Sequence, residues 1–281
     1  MTLNVHSDVG IAQIAFYIPA LFATCFLIFH KHGRPRMAWT SLVLFSSVRI
    51  AEGAILVVFE NHPQSVGYII AGLVFQGTGV IPLILSTIGL LRIIKFIDFP
   101  EHKRIEIQII ALRVILLVGV TLVIAGSCLQ GNYNNASDVS TGTKLSKAGY
   151  ILFAAIVGAI IAFDLLFWTK REGLAHNSSL RILYAISASV PFLTVRIIYS
   201  CLSVFSGNLE DPTWSPLFGS IAALIVMHSL MEYIVVVMYL ATGFAIPLVE
   251  KNKSGPGSYA AHGRDDEEAA RRATPKVVPW V

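Results

Sequence analysis

The sequence predicts an all-α integral membrane protein, a seven-transmembrane helix bundle with its N-terminus outside or lumenal and its C-terminus cytosolic. Three features carry that expectation. Of the 281 residues, 55% are hydrophobic and 14% are charged, and the mean hydropathy is +0.69. An ordinary soluble domain carries about 25% charged residues and needs a polar exterior that this composition cannot supply. The apolar residues fall into blocks of about 20, the length that a spanning helix requires. Basic residues gather on alternate loops. Together these features argue against a disordered chain, a nucleic-acid-binding protein and an ordinary water-soluble enzyme.

The elements follow in order. The opening MTLNVHSDVG lacks a basic n-region, so residues 1–8 are expected to form a short lumenal tail before a retained helix, not a cleaved signal peptide. Hydrophobic blocks predict spans at 9–29, 37–59, 66–91, 107–129, 148–169, 181–205 and 216–247, within a transmembrane domain covering 9–249. The last is long enough to tilt or to run past the membrane surface. Gly77, Gly79, Pro82 and Pro191 lie inside spans, where neighbouring helices can re-satisfy the backbone. Residues 250–281 are polar and predict a disordered cytosolic tail, with Asp265, Asp266, Glu267 and Glu268 as a solvated charge run. Cys25, Cys128 and Cys201 are too few for a disulfide scaffold. Cys128 and Cys201 both fall near outer helix ends, where apolar packing is favoured over a disulfide.

Charge placement sets the orientation. Sixteen Lys and Arg fall on one side: Lys31, Arg34 and Arg36; Arg92, Lys95, Lys103 and Arg104; Lys170, Arg171 and Arg181; and six in the tail. Only Lys144 and Lys147 fall on the other. The basic side is therefore expected to face the cytosol. The sequon Asn135-Ala136-Ser137 then lies in an outer 130–147 loop and is a glycosylation candidate, while Asn177-Ser178-Ser179 faces the cytosol.

Seven ionisable side chains lie well inside spans: Arg49, Glu52, Arg113, Asp164, Arg196, His228 and Glu232. Each charge at mid-membrane costs about 2.5–3.5 kcal/mol on insertion scales, so such residues are expected to face the interior and to pair. Arg49 and Glu52 are i, i+3, and His228 and Glu232 are i, i+4, so each couple shares a helix face. At ~1.5 Å per residue, Arg49 lies ~18 Å from the cytosolic end of its span, and Glu52 and Arg196 ~22 Å, so these three can meet. Arg113 and Asp164 each lie ~9 Å from that edge and are expected to form a structural ion pair. Buried pairs often specify packing without doing chemistry, but four such residues in two spans exceed what packing needs, which points to a functional cavity. A carboxylic acid in an apolar cavity favours its protonated form and can act as a general acid. Glu232, beside a neutral His228, is the better acid candidate; Glu52, beside Arg49 or Arg196, suits stabilising a developing cation or positioning substrate. Gln76, Tyr199 and Tyr233 can add hydrogen bonds. The sequence has no His-Glu-x-x-His, Cys-x-x-Cys, phosphate-binding loop or nucleophile elbow, and no aspartate-rich pair inside a span. Catalysis is expected to be acid–base chemistry without metal or other cofactor.

Three stretches resemble a known family: Val48-Arg49-Ile50-Ala51-Glu52-Gly53, Val195-Arg196-Ile197-Ile198-Tyr199-Ser200 and Met231-Glu232-Tyr233-Ile234-Val235-Val236. With the seven-span layout and short polar tail, they are similar to a group of fungal multi-pass membrane proteins. That group includes membrane-bound terpene cyclases of meroterpenoid pathways of the ascofuranone type. The resemblance implies an enzyme, expected in the endoplasmic reticulum membrane, that protonates a terminal epoxide or alkene of a prenyl chain and triggers cyclisation. It implies Arg49, Glu52, Arg196 and Glu232 as site residues, a lipophilic prenylated aromatic as substrate, and co-pathway membrane enzymes as partners. Tyr199, Tyr233, Phe192 and Phe75 can stabilise a carbocation through their ring faces.

A seven-transmembrane receptor or sensor is the runner-up, although the third span lacks an Asp/Glu-Arg-Tyr signature and the seventh lacks Asn-Pro-x-x-Tyr. A transporter comes third, weakened by the lack of a clear internal repeat. The orientation has a direct test. A glycosidase-sensitive mass shift is expected from Asn135 and none from Asn177; the reverse result overturns the assignment of sides.

Overall fold

The computed structural model describes residues 5–30, 36–61, 66–98, 103–131, 135–171, 177–206, 214 and 220–246. The expected tail at 250–281, with its acidic run, lies outside the described residues. Ten consecutive elements follow the chain: α1 (Val5–His30), α2 (Arg36–Asn61), α3 (Val66–Thr78), α4 (Val80–Asp98), α5 (Lys103–Gln130), α6 (Ala136–Thr169), α7 (Asn177–Ser206), the short α8 (Ile221–Ala223), a π-helical segment (Leu224–Leu230) and α9 (Met231–Ala245). No strand occurs among the described residues. They contain seven helices long and apolar enough to cross a membrane: 8–29, 37–58, 70–98, 103–130, 136–169, 177–206 and 224–245. Large apolar side chains, Phe22, Phe29, Phe96, Ile107 and Leu117 among them, are exposed on the outside, while Arg49, Glu52, Arg196 and Glu232 are buried. This inversion of the soluble pattern suits a lipid bilayer as solvent.

Several boundaries differ from the sequence reading. α1 begins at Val5, within the expected tail. The third span is two helices that run on to Asp98, so Arg92 and Lys95 are helical and not in a loop. Pro82 explains the break. It has no N–H to donate to the carbonyl four residues back, that of Thr78, and its ring crowds that carbonyl. α3 therefore ends at Thr78, Gly79 turns the chain, and α4 starts at Val80. The 130–147 loop is mostly helix. α6 starts at Ala136 and runs for 34 residues, a length of ~51 Å against a hydrocarbon core of ~30 Å. Asn135 lies exposed at its N-terminal end, where Ser137 Oγ donates to Asn135 Oδ1 at 3.0 Å. Cys25, Cys128 and Cys201 are free thiols.

α4 is the central helix. It packs against α2, α5, α6, α7 and α9, and the most apolar stretch of the span containing it is more buried than that of any other span among the described residues. Its apolar residues from Val80 to Ile94 form the middle of the core, with Trp39, Leu42, Phe45, Phe153 and Tyr239 around them. Hydroxyl groups tie it to its neighbours. Ser86 Oγ donates to the Ala38 carbonyl at 3.0 Å, and Tyr239 Oη lies 2.7 Å from Thr87 Oγ1 and 2.9 Å from Ser189 Oγ. Without bulk water, such groups must be satisfied by neighbouring helices.

α1 and α2 cross with almost no side chain between them. A Cβ on Gly53 would stand 2.7 Å from the Gly10 carbonyl oxygen, and one on Gly10 would stand 2.8 Å from that of Gly53. Both obstacles are backbone and cannot swing away. The close crossing brings Gln13 of α1 against the turn of α2 that carries Arg49 and Glu52. Gly53→Val is expected to lower stability by about 1–3 kcal/mol, read as reduced thermal stability of the purified protein in detergent. An unchanged melt shows that the crossing can relax.

Candidate functional site

Four charged side chains from three helices converge in the interior. Arg49 (α2) donates through Nη1 to Glu52 Oε2, one turn along the same helix, and through Nη2 to Glu232 Oε1 of α9 at 2.5 Å. Arg196 (α7) donates from Nε to that same Glu232 oxygen at 2.5 Å, from Nη1 to Ser200 Oγ, and from Nη2 to the Gln76 carbonyl at 3.4 Å. All four are at most 3% exposed. Two guanidinium and two carboxylate groups make a formally neutral quartet, which bounds the cost of holding four charges away from water.

The surroundings hold these groups in place. Gln13 Nε2 lies 3.0 Å from Glu52 Oε2 and 3.1 Å from the Arg49 carbonyl oxygen, as donor to both. The Phe45 ring lies under the Arg49 guanidinium, 5.4 Å from its centroid. Gly79, at the α3–α4 break, leaves room for that guanidinium; a Cβ there would stand 2.5 Å from Arg49 Cζ. Sequence reasoning missed Gln13, Ser200 and Gly79. Gln13 is a lone amide in an apolar span and Ser200 lies one helical turn beyond Arg196, so both carried a readable polarity signal. Gly79 carried none, because only the tertiary approach of α2 gives it a purpose.

His228 stands on the π-helical segment, a geometry frequent at functional sites. Its Nε2 lies 3.7 Å from Glu52 Oε1, and among the described residues neither buried ring nitrogen has a hydrogen-bond partner. Tyr199 packs edge-on against the imidazole at 5.9 Å between centroids. A cavity of about 10 Å³ lies here, lined by Gln13, Glu52, Leu56, Gln76, His228 and Ser229, with Leu224 closing it. That is about the space of one water molecule. Glu232 Oε2, Tyr17 Oη, Arg49 Nε and Ser229 Oγ are further buried polar atoms without partners among the described residues.

Three expectations change against this geometry. Glu232 is not an isolated carboxyl group beside His228. Its Oε1 accepts from two guanidinium groups, which makes it the anchor of the quartet, and His228 faces Glu52 instead. Tyr233 makes no hydrogen bond to the quartet among the described residues; its ring packs on Phe16 at 5.0 Å and Tyr17 at 6.0 Å. Arg113 and Asp164 are not paired, because they lie on different faces. Ser187 Oγ lies 2.8 and 2.9 Å from the two Asp164 carboxylate oxygens and accepts from Trp168 Nε1 at 2.6 Å, toward α7. Arg113 lines a separate cavity between α4 and α5. Gln76 meets the quartet through its backbone carbonyl and also lines the small cavity.

Removing the anchor leaves two buried cations with one carboxylate, Glu52, between them, and breaking a buried pair in this way costs about 3–5 kcal/mol. Glu232→Ala is therefore expected to lose most of its stability to thermal or SDS unfolding in detergent, and Glu232→Gln to lose less. Stability equal to wild type in both variants removes the anchor role.

Comparison with curated proteins gives no match, and comparison with solved structures gives none. Residues 3–249 match a family described as "Domain of unknown function (DUF7702)". The match spans every helix that builds the quartet and its cavity, and the chain belongs to this family.

Proposed function

We propose that this protein is a multi-pass enzyme of the endoplasmic reticulum membrane, N-terminus lumenal and C-terminus cytosolic, that catalyses acid-initiated cyclisation of a prenyl chain on a lipophilic meroterpenoid intermediate. The observation that carries this reading is the Glu52–His228 pair. It is the one place in the buried cluster where a carboxylate oxygen and an unbonded imidazole nitrogen border the same cavity. Glu52 is fixed on its other oxygen by Arg49 and Gln13, leaving Oε1 toward His228. In this reading the pair supplies the proton. Its transfer to a substrate epoxide oxygen breaks a C–O bond, a neighbouring alkene attacks the carbon, and the cyclic cation returns a proton to the emptied base. Product and substrate have equal mass. Tyr199, against His228, supplies an aromatic ring for the cationic stage.

The cavity as it stands takes one water, so a prenyl chain enters by displacing a wall. The π-helical segment, which contributes Leu224, His228 and Ser229, departs from regular α-helical geometry, as helices often do at functional sites, and is the wall we expect to move. The same closed geometry favours a second reading, a seven-transmembrane sensor whose neutral quartet locks α2, α7 and α9 until a ligand parts them.

Microsomes containing the protein, given an epoxidised prenyl-phenol, are expected to form a cyclised isomer of unchanged mass. Glu52→Gln and His228→Ala are each expected to cut that turnover by about 10²-fold or more while still inserting into the membrane. Turnover at the wild-type rate in both variants removes the pair as the proton source. No turnover across a broad set of such substrates, together with a ligand-induced rise in Tm, supports the sensor.

A further inference from the structure

A second cavity, of about 230 Å³, lies between the C-terminal part of α4 and the N-terminal part of α5. Arg92, Lys95, Glu106 and Arg113 line it, with Phe96 and Ile110 beside them. Three cations face one carboxylate. Lys95 Nζ donates to Glu106 Oε2 at 2.8 Å, which leaves the charge of Arg92 and Arg113 in excess. Among the described residues, Arg113 Nε and Nη2 are both buried without a hydrogen-bond partner, and no carboxylate pairs with Arg113. Buried donors left unsatisfied are costly, so the matching ligand supplies acceptor oxygens and negative charge together. The rim is apolar, since Phe96 and Ile110 are exposed on the outside of the bundle. The volume is several times the ~30 Å³ that one water occupies in the liquid.

The geometry points to a binding site for a phosphate group at this cavity, with the Arg113 and Arg92 guanidiniums as its donors and Lys95, oriented by Glu106, as the third cation. The planar guanidinium fork matches phosphate oxygens in pairs. Basic pockets between transmembrane helices at a membrane surface suit anionic headgroups in this way, and the apolar rim offers acyl chains a path. The site lies on helices α4 and α5, apart from the Glu52–His228 pair, and does not depend on the cyclase reading.

The test uses the full chain in phosphatidylcholine nanodiscs with or without phosphatidic acid. Native mass spectrometry reads the retained lipid, and Tm in neutral detergent is read against added inorganic phosphate. Phosphatidic acid is expected to be retained in preference to phosphatidylcholine. Arg113→Gln is expected to weaken that retention about tenfold or more, and Arg104→Gln, on an exposed residue outside the cavity, to leave it unchanged. Retention of phosphatidic acid with no effect of inorganic phosphate supports the site with a lipid as its source. A rise in Tm with inorganic phosphate that Arg113→Gln abolishes supports it with soluble phosphate as the source. If Arg113→Gln does not fold, Arg92→Gln, whose side chain is exposed, carries the same comparison. The proposal is overturned if neither phosphate source binds better than phosphatidylcholine or chloride, or if the folded variants bind as tightly as wild type.

Discussion

A single carboxylate oxygen, Glu232 Oε1, takes hydrogen bonds from guanidinium groups on two other helices. That shared acceptor joins α2, α7 and α9, elements far apart in the chain. Arg49 in turn reaches Glu52, and Glu52 reaches Gln13 of α1. Arg196 reaches the Gln76 carbonyl of α3. Five of the elements around the centre are thus tied through one neutral polar group. In a medium without water no other partner is on offer, so each member holds the others to one geometry. The glycine contacts of α1 with α2, and the space that Gly79 leaves for Arg49, are the packing conditions under which the quartet closes.

The quartet also explains why His228 is different from its neighbours. Arginine and glutamate neutralise one another, and nothing in that arrangement calls for an imidazole. His228 is nonetheless fully buried with both nitrogens unbonded, on a π-helical stretch that departs from the geometry on either side. A buried polar ring without partners is unfavourable to the fold, and unfavourable local features retained in a core are where function is to be sought. The Arg113 cavity follows the same logic at the edge of the bundle, where the unmet donors belong to a cation and face an apolar rim.

Much of this was legible in the residues. Hydrophobic blocks of spanning length located all seven helices, and helical rise alone brought Arg49, Glu52 and Arg196 to a similar depth. Depth carries no rotation, however. The expected span ends gave Arg113 and Asp164 a common depth on consecutive helices, yet one lines the α4–α5 cavity and the other meets Ser187. Sequence spacing likewise put His228 and Glu232 on one face, but could not say that two arginines from other helices would claim Glu232 and leave His228 to Glu52.

The amino-acid sequence by itself determined the apolar helical architecture and the need of the interior charges for partners, because hydropathy and the cost of burying charge are local properties. Tertiary structure alone decided which charge met which, why Gly79 is needed beside Arg49, and where polar atoms were left unmet. Those outcomes depend on how each helix is rotated about its axis and how closely its neighbours approach. Such rotations are set by packing among helices distant in the chain, and no single segment encodes them.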